Sequence, residues 1–228
     1  LERIGIPQTS CSSKICKLTF DKHEYAKFIN SLNLKTAKQF YIKKGEDYNV
    51  DDILKKTGIP CFVKPNKSGS SFGISKVTSK DFLNEKINYA FQEGDEVLVE
   101  SFLDGKEISV GVINIDGKRT ILPITEIISK NEFFDFDAKY NGQSDEITPG
   151  DITTDELNDI HKMINTIYDN INLSGITRSE IILVNKVPYL LETNTIPGFT
   201  KQSIVPQQIK AAGLSINEII ESQIKSLL

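Results

Sequence analysis

The stretch "RSEIILVNKVPYLLETN" (residues 178–194) sets an arginine, two glutamates and an asparagine in a run with strand-like alternation. Successive side chains of a strand point to opposite faces. A three-residue turn at 185–187 would pair Val184 with Pro188 and Glu180 with Glu192, leaving Arg178 and Asn194 on the same face. A two-residue turn would stagger the two acids. Directly opposed like charges cost about 0.2–1 kcal/mol on a solvated strand pair, and more when buried. A divalent cation removes that cost. Two carboxylates and an amide oxygen are hard ligands suited to Mg²⁺, which completes its shell with water and substrate phosphates. Arg178 would clamp an anion at the same place. The solvated face of an edge hairpin fits these residues too.

A second stretch, "FVKPNKSGSSFGISKV" (residues 62–77), favours the metal reading. Lys64 precedes a run of Gly, Ser and Asn, and the pattern then returns to a strand rather than opening a helix. Glycine lets backbone N–H groups approach phosphate oxygens closely. Ser70 and Ser71 are also ordinary turn formers, and Lys64 alone could be a surface lysine. A phosphate cradle and a magnesium site in one chain together imply a bound nucleotide.

The elements that must position these groups read as α+β. Amphipathic helices are expected from a Thr19 cap over "FDKHEYAKFINSLN", over "NVDDILKKTG", and from a Ser79 cap over "SKDFLNEKINYAFQEG". Further helices are expected over "TTDELNDIHKMINTIYDNINLSG" and near 203–212 and 215–227. Strands are expected at "AKQFYI", "PCFVKP", "GISKV", "EVLVESFL" and "KEISVGVINIDGKRTILP", the last folded at Asp116-Gly117. Residues 129–152 are polar and unperiodic, as in a functional loop or a disordered segment. The mixture predicts mostly antiparallel sheets with helices on one face of each.

With 228 residues, 39% hydrophobic and 25% charged, the chain is an ordinary globular one of one large or two small domains. A net charge of −4 argues against nucleic acid or an anionic membrane as partner, and no apolar run is long enough to span a bilayer. Cys11, Cys16 and Cys61 read as free thiols of a reducing cytoplasm, the C-x4-C spacing lacking a second ligand pair for zinc. The chain opens without Met or a signal-peptide pattern, which fits a fragment or a processed form.

With those residues in view, the sequence resembles the ATP-grasp superfamily, and within it the D-alanine–D-alanine ligase family. "VKPNKSGSSFGISKV" is similar to that family's glycine-rich lid, "EVLVESFLDGKEISV" to its adenosine-binding hinge and "DFDAKY" to its active-site loop. "TRSEIILVNKVPYLLETNTIPGFTKQSIVPQQIKAAGLS" is similar to its metal and substrate hairpin. The resemblance implies the ATP-grasp fold, two α+β lobes, with a small domain at 15–101 and a C-terminal domain at 102–228. Residues 1–14 resemble the end of the family's N-terminal domain, most of which is then missing here.

The resemblance further implies that Lys22 and Lys64 bind phosphate, with Ser70 and Ser71 closing the turn over it. Glu100 and the backbone of Ser101 and Leu103 would hold adenine, and Glu107 the ribose hydroxyls. Glu180, Glu192 and Asn194 would hold two Mg²⁺ or Mn²⁺ ions, with Arg178 facing the transferred phosphate. Lys139 would meet the γ-phosphate, Tyr140 would bond Ser70, and Gly198 and Ser203 would line the second-substrate pocket. The implied activity is ATP-dependent joining of two D-alanines for peptidoglycan synthesis, in the cytoplasm and as a homodimer when full-length. Glu180 stands where the family often has Asp, and "TPG" where Pro-Ala is common. The rival readings are a D-alanine–D-lactate ligase, another ATP-grasp carboxylate–amine ligase, and a nucleotide-binding module without ligase activity.

Overall fold

The computed structural model describes residues 1–129 and 144–227, arranged as two antiparallel sheets with a cleft between them. The smaller sheet contains β1 (Gln39–Lys43), β2 (Cys61–Pro65), β3 (Ser75–Val77) and β4 (Glu96–Ser101), in the order β1-β4-β2-β3. Alternation decides its two faces. Cys61, Val63, Val97 and Val99 turn into a core with Ile53 of α3 (Val50–Thr57) and Leu83 and Ile87 of α4 (Leu83–Ala90). Phe62, Lys64 and Glu100 are left to face the cleft. The Asn49 side chain caps α3 through the Asp51 N–H, acids fill its first turn and lysines its last, and Gly58 ends it at φ 73°. Each of these features favours a short helix there.

The larger sheet has β5 (Lys106–Ile115), β7 (Thr125–Ser129), β8 (Ser144–Ile147), β9 (Thr177–Val184) and β10 (Val187–Asn194), in the order β10-β9-β5-β7-β8. β6 (Lys118–Ile121) returns along β5 from the Asp116-Gly117 turn, where both residues have positive φ. One face packs Ile108, Val110, Val112, Ile181 and Leu183 against α5 (Thr154–Asn170), which begins at a Thr153–Glu156 capping box. Two N-terminal helices, α1 (Ser13–Phe20) and α2 (Lys22–Ser31), join this same core through Ile15, Tyr25 and Ile29.

The structure corrects the sequence reading in four places. The larger sheet carries helices on both faces, because β5 is apolar on both sides beyond Val110. Ile113 packs under α6 (Ile204–Ala211) and α7 (Ile216–Lys225) through Val205, Ile209 and Ile219. Farther along that face Ser109 is buried beneath Gln208 of α6, and Glu107 lines the cleft. Thr19 is no cap; it is buried inside α1, while Ser12 caps α1 and Asp21 caps α2. Ser79 caps a 3-10 turn at Lys80–Phe82 that precedes α4. Within 129–152, residues Ser144–Ile147 form strand β8.

Candidate active site between the two sheets

The charged hairpin reaches its expected pairing by an unexpected route. The turn has two residues, Asn185 and Lys186, both at positive φ (49° and 69°), and it pairs Val184 with Val187. Such turns match the twist of the flanking strands. Continued regularly, this register would set Glu192 against Ser179. A bulge at Leu191 adds one residue, so Glu192 pairs with Glu180 and Asn194 with Arg178. The bulge also turns two consecutive side chains toward the cleft. Leu191 lines one cavity there and Glu192 the next.

Arg178 Nε donates to Glu180 Oε1 at 2.5 Å; the Glu180 side chain is buried and that of Arg178 mostly so. Glu180 Oε2 is also buried and has no hydrogen-bond partner among the described residues. A bare buried carboxylate oxygen is costly, and a cation is the natural remedy. The donor set of Glu180, Glu192 and the Asn194 amide therefore fits a hard divalent ion. Asn194 Oδ1 accepts the Ile196 N–H at 3.1 Å and keeps a second lone pair. No third His, Cys, Asp or Glu joins this set among the described residues. The Glu180 charge, opposed by burial, raises the Arg178 pKa, and Glu192 and Glu146 add to the rise. Glu146 on β8 has its own pKa pushed up chiefly by burial, while Gln207 Nε2 donates to its Oε2 at 3.0 Å.

Across the cleft, the glycine-rich loop curls through three residues of positive φ: Ser70 (52°), Ser71 (60°) and Gly73 (72°). A Cβ on Gly73 would lie 2.8 Å from Pro65 Cγ, so the loop closes tightly on the end of β2. Lys22 Nζ, at the head of α2, donates to Ser68 O at 2.6 Å. Lys64 pairs with Glu100 at 2.6 Å, and Gln39 Nε2 donates to the other Glu100 oxygen at 2.7 Å. Glu100 is thus tied to Lys64 on one side and braced on the other.

These groups line connected space. A cavity of about 480 Å³ holds Lys64, Glu100, Ser101, Leu103 and Glu107, with Phe62, Ile182 and Leu191 as apolar walls. A second, of about 500 Å³, holds Lys22, Ser70, Arg178, Glu192 and Asn194. A small cavity between them shares Lys64 with the first and Lys22, Ser70 and Glu192 with the second. Beneath it, Tyr25 OH donates to Thr193 Oγ1 at 2.8 Å, fixing α2 to the hairpin.

Gly198 and Ser203 lie side by side, Ser203 Oγ accepting the Thr200 N–H at 3.1 Å, but neither lines these cavities. Lys139 and Tyr140 fall outside the described residues. Gln39, Phe62, Asn66, Glu146 and Leu191 were not anticipated from sequence. Phe62 was within reach of the alternation that marks Lys64; Leu191 was hidden by the bulge.

Two facing antiparallel sheets, a lysine-bearing glycine-rich loop on one and an acid pair on the other are the architecture of an ATP-grasp enzyme. Residues 28–225 match the family model described as D-ala D-ala ligase C-terminus. The chain is 48% identical over 224 residues to the D-alanine–D-alanine ligase of Flavobacterium johnsoniae, covering 98% of this chain and 69% of that one. The crystal structure of the VanG D-Ala:D-Ser ligase from Enterococcus faecalis superposes with a TM-score of 0.85 at 30% identity, over 100% of this chain and 67% of the other. The D-alanine–D-alanine ligase from Bacillus anthracis complexed with ATP gives 0.83 at 28% identity, over 99% and 73%. The chain belongs to the D-alanine–D-alanine ligase family.

Proposed function

We propose that this chain binds ATP between its two sheets and joins two D-alanines into D-alanyl-D-alanine, a peptidoglycan precursor, through an acyl phosphate. The observation that carries this reading is the Glu180–Glu192 pair beside Arg178, one small cavity away from Lys64 and the glycine-rich loop.

A carboxylate resists attack by an amine because oxide would have to leave. Transfer of the ATP γ-phosphoryl group to one carboxylate oxygen gives an acyl phosphate and ADP. The second D-alanine's amine attacks the acyl carbon, inorganic phosphate leaves, and the nitrogen loses a proton. In this reading adenine sits among Glu100, Ser101 and Leu103, and Glu107 takes the ribose hydroxyls. Lys22, Lys64 and the N–H groups at Ser70 and Ser71 hold phosphate oxygens, so charge moving onto the transferring group meets fixed donors. Arg178 faces that group and later the tetrahedral oxyanion. Mg²⁺ or Mn²⁺ held by Glu180, Glu192 and Asn194 would supply charge neutralisation at the phosphates. Gly198 and Ser203 are assigned to the acceptor pocket, Lys139 to the γ-phosphate and Tyr140 to a bond with Ser70. Closure over the cleft would exclude water that would otherwise hydrolyse the acyl phosphate.

We assign the small lobe to residues 15–101, whose first two helices pack on the core of the larger sheet, and the C-terminal lobe to 102–228, with a homodimer and a cytoplasmic location. No helix among the described residues is long and apolar enough to cross a membrane. Phosphate release by the full-length protein, measured with ATP, Mg²⁺ and D-alanine, D-serine, D-lactate or L-alanine, tests the assignment. Release that requires D-alanine and yields the dipeptide is expected. Release indifferent to D-alanine would overturn it, and nucleotide binding without release would support a binding module instead.

A further inference from the structure

Where β2 runs into the glycine-rich loop, Asn66 is fully buried with every polar atom engaged. Its Nδ2 donates to Asp21 Oδ1 at 2.9 Å and to Glu96 Oε2 at 2.6 Å, while Oδ1 accepts the His23 N–H at 2.8 Å. Its backbone N–H donates to Glu96 O at 2.8 Å, and its carbonyl accepts the Lys22 N–H at 3.4 Å. Two carboxylates on one side and an N–H on the other fix the orientation of the amide.

The partners matter more than the count. Asp21 caps α2, its Oδ1 also accepting the Glu24 N–H at 3.1 Å, so whatever holds Asp21 sets where Lys22 begins. Lys22 Nζ then reaches back to Ser68 O at 2.6 Å, two residues beyond Asn66. Lys67 braces the same junction, 3.1 Å from Asp21 Oδ2 and 2.8 Å from Glu96 Oε2. The body of α2 packs into the core of the larger sheet through Tyr25 and Ile29, whereas Asn66 belongs to the smaller sheet. One amide therefore joins the lysine-bearing helix of one core to the loop of the other.

We propose that Asn66 is a positioning residue that holds Lys22 in register with the glycine-rich loop, so that both meet the same phosphate group. This rests on the assignment of Lys22 to phosphate. The competing possibility is a buried asparagine that only stabilises the junction.

A double-mutant cycle in the full-length protein separates the two. ATP affinity, by calorimetry without amino acid substrate, and the KM for ATP and kcat would be measured for Asn66→Ala, Lys22→Ala and the pair. Asn66→Ser serves if the alanine variant does not fold. Coupled neighbours deviate from additivity by amounts that translate to several-fold in affinity. The expected result is about tenfold weaker ATP binding and higher KM for Asn66→Ala with Lys22 present, and less than twofold in the Lys22→Ala background. Equal losses in both backgrounds, or a lowered melting temperature with unchanged ATP affinity, would overturn the proposal. Lys22→Ala with undiminished affinity would remove the phosphate role of Lys22 and the proposal with it. Weakened Lys22→Ala with additive Asn66→Ala would remove the proposal alone.

Discussion

The Lys64–Glu100 pair serves the fold at the place where the proposed chemistry would use both side chains. The two side chains are 10% and 7% exposed and sit 2.6 Å apart. Removing one partner of a buried pair strands the other charge, at a cost of about 3–5 kcal/mol, whereas replacing both is often nearly neutral. Lys64→Met is therefore expected to lower stability by that amount and to abolish ATP binding. Adding Glu100→Gln should restore much of the stability and none of the binding. Urea midpoints paired with calorimetric titrations of the two variants would check this; a double variant that regained ATP affinity would mean Lys64 only balances Glu100.

The carboxylates around Asn66 give a pH signature at the same scale. Lys67 and Asn66 hold Glu96 below its ordinary pKa. At Asp21 burial pushes upward, but bonds from Asn66, the Glu24 N–H and Lys67 outweigh it and the pKa falls. A folded-state pKa below the unfolded value of about 4 means the unfolded chain binds protons first as pH drops. Stability from these groups is thus present above about pH 4 and lost as pH falls through the depressed values. Asp21→Asn with Glu96→Gln should be less stable at pH 7 and should lose less between about pH 4 and pH 2. Parallel acid limbs for the variant and the parent in urea titrations would refute it.

Among the elements, β10 does the most with least. Its bulge points Leu191 at the apolar wall of one cavity and Glu192 into the next, which a regular strand, alternating sides, does not do. Half-buried Leu191 should contribute about 1–1.5 kcal/mol of apolar contact to a bound base. Leu191→Ala is expected to raise the KM for ATP about tenfold while kcat and the metal dependence stay near their original values. A fall in kcat with unchanged KM would show the bulge acting on the acid pair instead.

The same hairpin marks the limit of what the sequence disclosed. Alternation identified β9, β10 and the shared face of Arg178, Glu180, Glu192 and Asn194, since that face follows from period-two geometry. The turn length and the bulge were both missed, and the two errors cancelled: one residue fewer in the loop, one more in the strand. Neither leaves a local mark, because Asn185-Lys186 is a weak turn signal and Leu191 looks like any strand leucine. Thr19 misled for a different reason. A hydroxyl residue before a periodic run resembles a cap, but Asp21, a stronger capping type two residues on, accepts the Glu24 N–H and starts α2.

At the scale of the whole molecule, the larger core is assembled from distant parts of the chain. Residues 10 and 11 dock on the loop before β9: Ser174 Oγ donates to Ser10 O at 3.1 Å, and the Ser174 N–H to Cys11 Sγ at 3.3 Å. Gly175 makes that approach possible. Its φ is 69°, and a Cβ there would lie 2.1 Å from Thr9 O, a backbone atom that cannot swing aside. Gly175→Ala combines an unfavourable left-handed conformation with displacement of residues 9–11, and should cost about 2–4 kcal/mol. Because residues 9–11 lead into α1 and α2, the damage should spread to Lys22 while sparing the hairpin around Arg178. The expected outcome is a melting temperature several degrees lower, with faster amide exchange in residues 9–31 and unchanged protection in β9 and β10. Uniformly faster exchange across the larger sheet would mean that α1 and α2 unfold only with the whole lobe, and that their attachment is not a separable element of the site.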